Sequence, residues 1–171
     1  MLTNSTHDTL LSLLACSNNW SICFCVTGDN IYASDSTDAA KSLDAAFAPA
    51  ISSNIPWAAV LGNHDQESAL SREGVMKHIV KLNNTLSLVN PVEEHVIDGF
   101  GNYNLEVGGV EGSSFENKSV LNLYFLDSGD YSRVPSIPGY GWIKPSQQFW
   151  FERTSKRLQV LTEHKFSLLA N

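Results

Sequence analysis

The sequence predicts an α/β fold, because two short β-prone segments flank a helical segment in the first part of the chain. Residues 22–26 and 57–61 are apolar, and each stretch runs into a polar turn that contains a glycine. The segment between them, "DSTDAAKSLDAAFAPA", repeats apolar residues at helical spacing. A strand–helix–strand unit favours two parallel strands in one sheet. The two polar turns are then expected at one edge of that sheet, where ligands bind in open α/β folds.

The helix between the two strands is predicted from its apolar spacing and its capping residues together. Ala39, Leu43, Ala46 and Phe47 recur at helical spacing. Ser36, Thr37 and Asp38 offer an N-cap oxygen for the first turn. Pro49 lacks a backbone N–H, so this helix is expected to end or bend near Ala48.

The rest of the chain alternates predicted helices and strands. Residues 71–82 read as a second helix and residues 103–107 as a strand. Residues 119–126, "SVLNLYFL", are almost continuously apolar, which predicts a central strand that is buried on both faces. A helix is expected to begin at Pro145 and to run to about Leu158. The remaining residues, "QVLTEHKFSLLAN", give no clear pattern.

Composition limits the classes of function. The 171 residues are 43% hydrophobic and 17% charged, which is typical of one folded domain and not of a disordered chain. The net charge of −7 argues against a nucleic-acid partner, since phosphate backbones favour basic surfaces. No apolar run has the length of a membrane-spanning helix, so no membrane span is predicted.

Signals for the cellular compartment are weak. The first 17 residues contain an apolar piece without a preceding Lys or Arg, so they do not make a convincing signal peptide. The three cysteines, Cys16, Cys23 and Cys25, are predicted to be free thiols in an apolar stretch. Glycosylation sequons occur at Asn4, Asn19, Asn83 and Asn117. Asn83 and Asn117 are the candidate sites, and together the sequons indicate that the parent protein is secretory.

Two turns contain the residues that are suited to chemistry. "GDNIY" places Asp29, a hard oxygen ligand, after Gly28, and "GNHD" places Asn63 and His64 after Gly62. A carboxylate at a strand end can bridge two metal ions, and an amide oxygen at the neighbouring strand end can complete one metal's shell. His64 can then donate a proton to a leaving alcohol without binding a metal. The alternative is that both segments are ordinary polar turns.

"GDNIY" followed by "IPWAAVLGNHDQE" resembles the calcineurin-like metallophosphoesterase family. "HVIDGFGNYNL" and "LNLYFLDSGDYS" are similar to its plant purple acid phosphatase-like branch, and the likeness covers about residues 26–158. The resemblance implies part of a four-layer α/β/β/α sandwich. It also implies hydrolysis of phosphate monoesters at a binuclear metal centre that pairs iron with zinc, manganese or a second iron.

The resemblance also implies roles for individual residues. Asp29 corresponds to the bridging metal ligand and Asn63 to a ligand of the second metal. His64 corresponds to the transition-state contact or general acid. Tyr32, three residues after Asp29, stands where purple members have a tyrosine bound to iron(III), although an unliganded aromatic residue is an equal alternative. Asp127 is assigned no metal and is expected to be a structural cap.

The chain departs from the family pattern at both ends. The family's Asp-x-His motif before "GD", its later His and its Gly-His-x-His motif have no counterpart, so five of seven ligands are missing. We therefore expect a divergent leader at 1–25, a partial phosphoesterase domain at 26–158 and a divergent tail at 159–171, truncated at both ends. Phosphate monoester hydrolysis is then expected to be impaired in this chain. The alternative is an inactive fragment or a non-catalytic secreted binding glycoprotein. The full-length relative is expected to be secreted or vacuolar.

Overall fold

The computed structural model describes residues 12–16, 20–92, 97–160 and 166–170. These residues form two three-stranded sheets, ordered β1-β2-β3 and β4-β5-β6, with three α-helices. The elements in chain order are β1 (Ser12–Cys16), β2 (Trp20–Thr27), α1 (Ala39–Ser52), β3 (Trp57–Val60), α2 (Arg72–Ile79), β4 (Tyr103–Gly108), β5 (Ser119–Phe125), α3 (Pro145–Val160) and β6 (Phe166–Ala170). No helix in these ranges is long and apolar enough to cross a membrane.

The predicted strand–helix–strand unit is confirmed. Strands β2 and β3 pair in parallel across α1, with Phe24 opposite Trp57 and Thr27 opposite Val60. Strand β1 pairs antiparallel with the other side of β2. Because β2 and β3 end at paired residues, the turns that follow them lie side by side.

The order of the layers is shown by which residues of the sheets and helices belong to the same hydrophobic core. Helices α1 and α2 pack on the first sheet, where the ring of Phe47 stacks on Trp57 at 4.4 Å between centroids. Leu123 and Phe125 of β5 belong to the same core as the first sheet, so the two sheets pack together. Tyr124, on the opposite face of β5, contacts Trp150 of α3. This is the α/β/β/α order, with β5 buried on both faces as predicted.

Helix α1 does not end near Ala48, which was one of the two outcomes that the sequence predicted. It continues through Pro49 to Ser52, and the N–H of Ser53 donates to the carbonyl of Pro49 at 3.0 Å. Pro49 is exposed, as is Ala45 one turn earlier. The missing N–H thus falls on an exposed side of the helix, where water can bond the carbonyl that lacks its partner, which lowers the cost of a proline in the helix.

Two other boundaries differ from the sequence prediction. Helix α2 ends at Ile79, three residues before the expected Leu82, because the N–H groups of residues 81 and 82 bond three residues back and tighten the last turn. Strand β6 lies in the segment for which no pattern was seen. It pairs in parallel with β5, with Leu121 opposite Phe166. Such a pairing depends on a distant strand and not on a local pattern.

The prediction of three free cysteines is wrong for Cys23, which is disulfide-bonded. Cys25 is a free, buried thiol, and burial raises the pKa of that thiol to about 11. We expect iodoacetamide at pH 8 to modify native Cys25 at least about 100-fold more slowly than in urea, because the thiolate is the reactive form. Mass spectrometry of labelled peptides measures this. Rapid labelling of Cys25 in the folded chain would contradict it.

Candidate functional site

The turns after β2 and β3 pack against each other through two glycines. A Cβ placed on Gly62 would overlap Oδ1 and the backbone nitrogen of Asp29. A Cβ on Gly28 would lie 2.9 Å from the Cα of Gly62, and Gly28 has a φ of +98°. Both positions leave no room for a Cβ, and Gly28 also needs a positive φ. The two glycines therefore determine how closely the turns approach.

Asp29 occupies this contact in a left-handed backbone conformation, with a φ of 47°. Its side chain is exposed, and Oδ1 accepts the backbone N–H of His64 at 3.1 Å. A non-glycine residue in this region is uncommon and often marks a functional site. The bond places the carboxylate of the first turn beside the histidine of the second.

Asp65, next in the "GNHD" turn, is fully buried at the sheet edge where the two turns meet. Its two carboxylate oxygens accept hydrogen bonds from the N–H of Gly62 at 2.7 Å, the N–H of Ile31 at 3.0 Å and Nδ2 of Asn30 at 2.9 Å. Asp65 thus joins the turns after both strands. Sequence reasoning assigned it no role, although its position inside the motif was a usable signal.

The pH dependence of stability should contain a contribution from Asp65. Burial raises the pKa of Asp65 from 3.8 to about 6, despite three hydrogen bonds that lower it. Because the folded pKa lies above the unfolded one, ionisation of Asp65 disfavours folding, and this penalty grows as pH rises from about 4 to about 6. It amounts to at most about 3 kcal/mol.

Asp65→Asn removes that titration. We expect the free energy of unfolding of Asp65→Asn, relative to that of the wild type, to rise by at most about 3 kcal/mol as the pH goes from about 4 to about 6. Urea denaturation with a chelator present measures this difference. The control Asp35→Asn changes an exposed carboxylate next to the site and should leave the pH profile unchanged. A constant difference between Asp65→Asn and wild type across this range would contradict the prediction.

The four residues predicted from the motifs do come together. Nδ1 of His64 lies 2.8 Å from Oε2 of Glu67, and the Tyr32 ring contacts the imidazole with centroids 4.6 Å apart. Nδ2 of Asn63 donates to the hydroxyl of Tyr131 at 3.5 Å, which leaves the amide oxygen as the candidate ligand atom. The ligand roles of Asp29, Asn63 and Tyr32 and the acid role of His64 stay predictions.

These donors alone do not fit a binuclear metal centre. Among the predicted ligands, Asp29 is the one carboxylate, beside the amide of Asn63, the phenol of Tyr32 and the imidazole of His64. The carboxylates of Asp65 and Glu67 at the same edge already accept hydrogen bonds from protein groups. No group of three or more His, Cys, Asp or Glu residues that could hold a metal ion occurs in the described part of the chain. Two metal ions that share one bridging carboxylate each need several more ligands.

A buried ion pair that sequence reasoning missed connects this edge to the second sheet. The Arg72 guanidinium contacts both carboxylate oxygens of Asp127 and donates to the carbonyls of Gly62, at 2.7 Å, and Leu61, at 3.2 Å. Asp127 also accepts the N–H of Phe100 at 2.7 Å. Asp127 therefore has a structural role, as expected, and it fixes the turn through the arginine.

Comparison with known proteins agrees with this geometry. Residues 7–168 match the family model described as "Calcineurin-like phosphoesterase". The chain belongs to the calcineurin-like phosphoesterase family. Family membership and the α/β fold confirm the resemblance that was read from "GDNIY" and "GNHD".

Several curated proteins are similar to this phosphoesterase domain. "Probable inactive purple acid phosphatase 29" of Arabidopsis thaliana is 69% identical over 134 residues, which are 78% of this chain and 34% of that relative. "Probable inactive purple acid phosphatase 14" of the same plant is 54% identical over 81% of this chain and 35% of its own length. "Phosphatase DCR2" of Saccharomyces cerevisiae is 40% identical over 74% of this chain and 22% of its own length.

The chain thus spans about a third, or less, of the length of these relatives. No solved structure matches it. The division of the phosphoesterase chain at residues 25 and 158 stays a prediction.

The candidate glycosylation sites lie on the surface of this phosphoesterase domain. Asn83 and Asn117 are both exposed, which is compatible with attached glycans. Asn4 and Asn19 lie outside the described residues. Glycosylation at Asn83 and Asn117 therefore stays a prediction.

Proposed function

We propose that this domain serves metal-dependent hydrolysis of phosphate monoesters, and that its described residues supply only part of a two-metal site. Asp29 and Asn63 would be metal ligands, and His64 would be the proton donor. The observation that supports this most is the hydrogen bond from the His64 N–H to Asp29 Oδ1 between two close-packed glycine turns. It brings a hard anionic ligand and a proton-handling group to one sheet edge, the usual place for a ligand.

The role of His64 follows from its contacts. Its Nδ1 is engaged by Glu67, and the hydrogen bond of one ring nitrogen decides the proton state of the other. Nε2 is then the atom that would give a proton to the oxygen of the leaving alcohol. The side chain is 27% exposed, so the ring is both held in place and reachable by a substrate.

The isolated 171-residue chain is proposed to be impaired in this reaction. Within the described residues, the donors at the edge are too few for two metal ions. Each missing ligand weakens metal binding and leaves the remaining ligands poorly oriented.

The second candidate function is non-catalytic binding by a secretory glycoprotein. Two of the relatives described above have names that begin "Probable inactive". The disulfide at Cys23 supports an oxidising compartment, because disulfides persist in secreted proteins and are rare in the cytosol. The exposed sequon residues Asn83 and Asn117 agree with that compartment.

The test is metal stoichiometry, followed by turnover. The purified chain is equilibrated with iron, zinc or manganese and desalted, and bound metal is measured by plasma mass spectrometry together with hydrolysis of para-nitrophenyl phosphate. Asp29→Asn and His64→Ala probe the edge, and Asp35→Asn is the matched control for an exposed carboxylate.

We expect far fewer than about two metal ions per chain and background hydrolysis in all variants, which supports an impaired partial site. About two ions per chain with hydrolysis that Asp29→Asn abolishes and Asp35→Asn preserves would confirm the family chemistry and overturn the impairment. Hydrolysis that survives both Asp29→Asn and His64→Ala would overturn the assignment of this edge.

A further inference from the structure

The geometry points to Glu67 as the positioning residue of His64: its carboxylate fixes the imidazole so that Nε2 is the nitrogen that exchanges a proton. Oε2 of Glu67 lies 2.8 Å from Nδ1 of His64. The inference deepens the proposed function, because it rests on His64 as the proton donor, and it adds a residue to which no role has yet been assigned.

The Glu67 carboxylate is itself held from the opposite side. Its other oxygen, Oε1, accepts the hydroxyl of Tyr131 at 2.8 Å, and that tyrosine lies in the loop between β5 and α3. The hydrogen bonds from His64 and Tyr131 lower the pKa of Glu67. An ionised carboxylate only accepts hydrogen bonds, so Nδ1 of His64 must carry a proton to complete the contact.

Two further contacts hold the arrangement. The ring of Tyr32 packs on the imidazole at 4.6 Å between centroids, and the side-chain amide of Gln66 donates to Asp130, next to Tyr131. The side chains of His64 and Glu67 are 27% and 20% exposed, so water competes less for their hydrogen bond than at an open surface. The imidazole is thus held by a neighbouring ring and by a carboxylate with a second partner.

The consequence for proton transfer is definite. In the cationic form both nitrogens carry protons, and the Nε2–H bond breaks as the proton passes to the leaving alkoxide oxygen, which becomes an alcohol. The neutral imidazole that remains keeps its proton on Nδ1, where Glu67 accepts it. Without Glu67, neutral His64 would shift toward the Nε2–H tautomer that free histidine prefers in water.

The test reads the tautomer directly and needs neither metal nor activity. The full 171-residue chain is labelled with nitrogen-15, freed of metal with a chelator and observed in two-dimensional spectra that correlate the ring nitrogens with the ring protons. His64→Gln assigns the signal. In the neutral imidazole of the wild type, observed at alkaline pH, we expect a protonated Nδ1 and an unprotonated Nε2. A wild type with the proton on Nε2 overturns the inference without any further variant.

Glu67→Ala should move the tautomer ratio toward Nε2–H by about tenfold, since one hydrogen bond is lost. Glu67→Gln keeps an accepting oxygen and should largely restore the wild-type ratio. Glu73→Ala, which removes an exposed carboxylate of α2, should change nothing. An unchanged ratio in Glu67→Ala would show that Glu67 is only a structural neighbour.

Tyr131 has a matched pair of variants. Tyr131→Phe removes the second partner of Glu67 and should shift the ratio in the direction of Glu67→Ala. Tyr140→Phe is the control, because the ring of Tyr140 stacks on Tyr131 but makes no hydrogen bond to Glu67. This variant should leave the tautomer ratio unchanged. Because the tautomer is read in the metal-free chain, this inference can fail while hydrolysis is confirmed, and it can hold in a chain that hydrolyses nothing.

Discussion

Arg72→Ala is expected to lower the free energy of unfolding by about 3–5 kcal/mol, because it leaves Asp127 as a buried charge without its partner. The two side chains are 7% and 0% exposed. The remaining donors to Asp127, the N–H groups of Phe100 and Gly129, do not replace the lost positive charge. The carbonyls of Leu61 and Gly62 also lose the hydrogen bonds that they accept from the Arg72 guanidinium. Urea denaturation followed by circular dichroism measures the change.

The matched control is Lys77→Ala on the same helix. Lys77 pairs with Glu73 at 2.6 Å, but these side chains are 59% and 49% exposed. Exposed pairs contribute about 0–1 kcal/mol, so this variant should stay close to wild type. Equal losses in Arg72→Ala and Lys77→Ala would mean that the buried pair has no special role in stability.

Gly62→Ala is expected to cost more than about 3 kcal/mol, above the usual range for overpacking, because the new Cβ overlaps the backbone nitrogen of Asp29 as well as its side-chain Oδ1. The two turns would have to separate, which breaks the hydrogen bond from the His64 N–H to Asp29 Oδ1. The stability loss is read from urea denaturation. The amide signal of His64 in nuclear magnetic resonance spectra should shift with it.

Gly112→Ala separates the overlap from the general effect of adding a methyl group. Nothing lies within 4 Å of a Cβ at this position, and its φ is +77°. Its cost should be limited to the backbone conformation, about 1–2 kcal/mol. A milder effect for Gly62→Ala than for Gly112→Ala would rule out close turn packing as the constraint on Gly62.

The sequence predicts the parts of the fold that depend on local patterns. The parallel pair β2–β3, the helix between them and the doubly buried β5 follow from apolar spacing over a few residues. Strand β6 does not, since its place is decided by pairing with β5. The sequence also left open whether α1 ends before Pro49 or passes through it, because that depends on which side of the helix faces water.

The candidate site divides in the same way. Two glycine turns after parallel strands were enough to place Asp29 and His64 together. Arg72 and Asp127, by contrast, are 55 positions apart, and Glu67 and Tyr131 are 64 positions apart. No short motif encodes such contacts, and Arg72 at the start of a helix looks like an ordinary surface residue. The residues that support the site were therefore visible only in the fold.

The hydrogen bonds between the two turns have a consequence for local opening. The amide of Ile31 in the first turn is held by Asp65 of the second, while the amide of His64 in the second turn is held by Asp29 of the first. Neither turn can open without releasing a bond that belongs to the other. The two amides should therefore exchange their hydrogens with solvent in a single cooperative event, with similar protection. The two turns should therefore open as one unit, so that a disturbance at the end of either strand affects both turns.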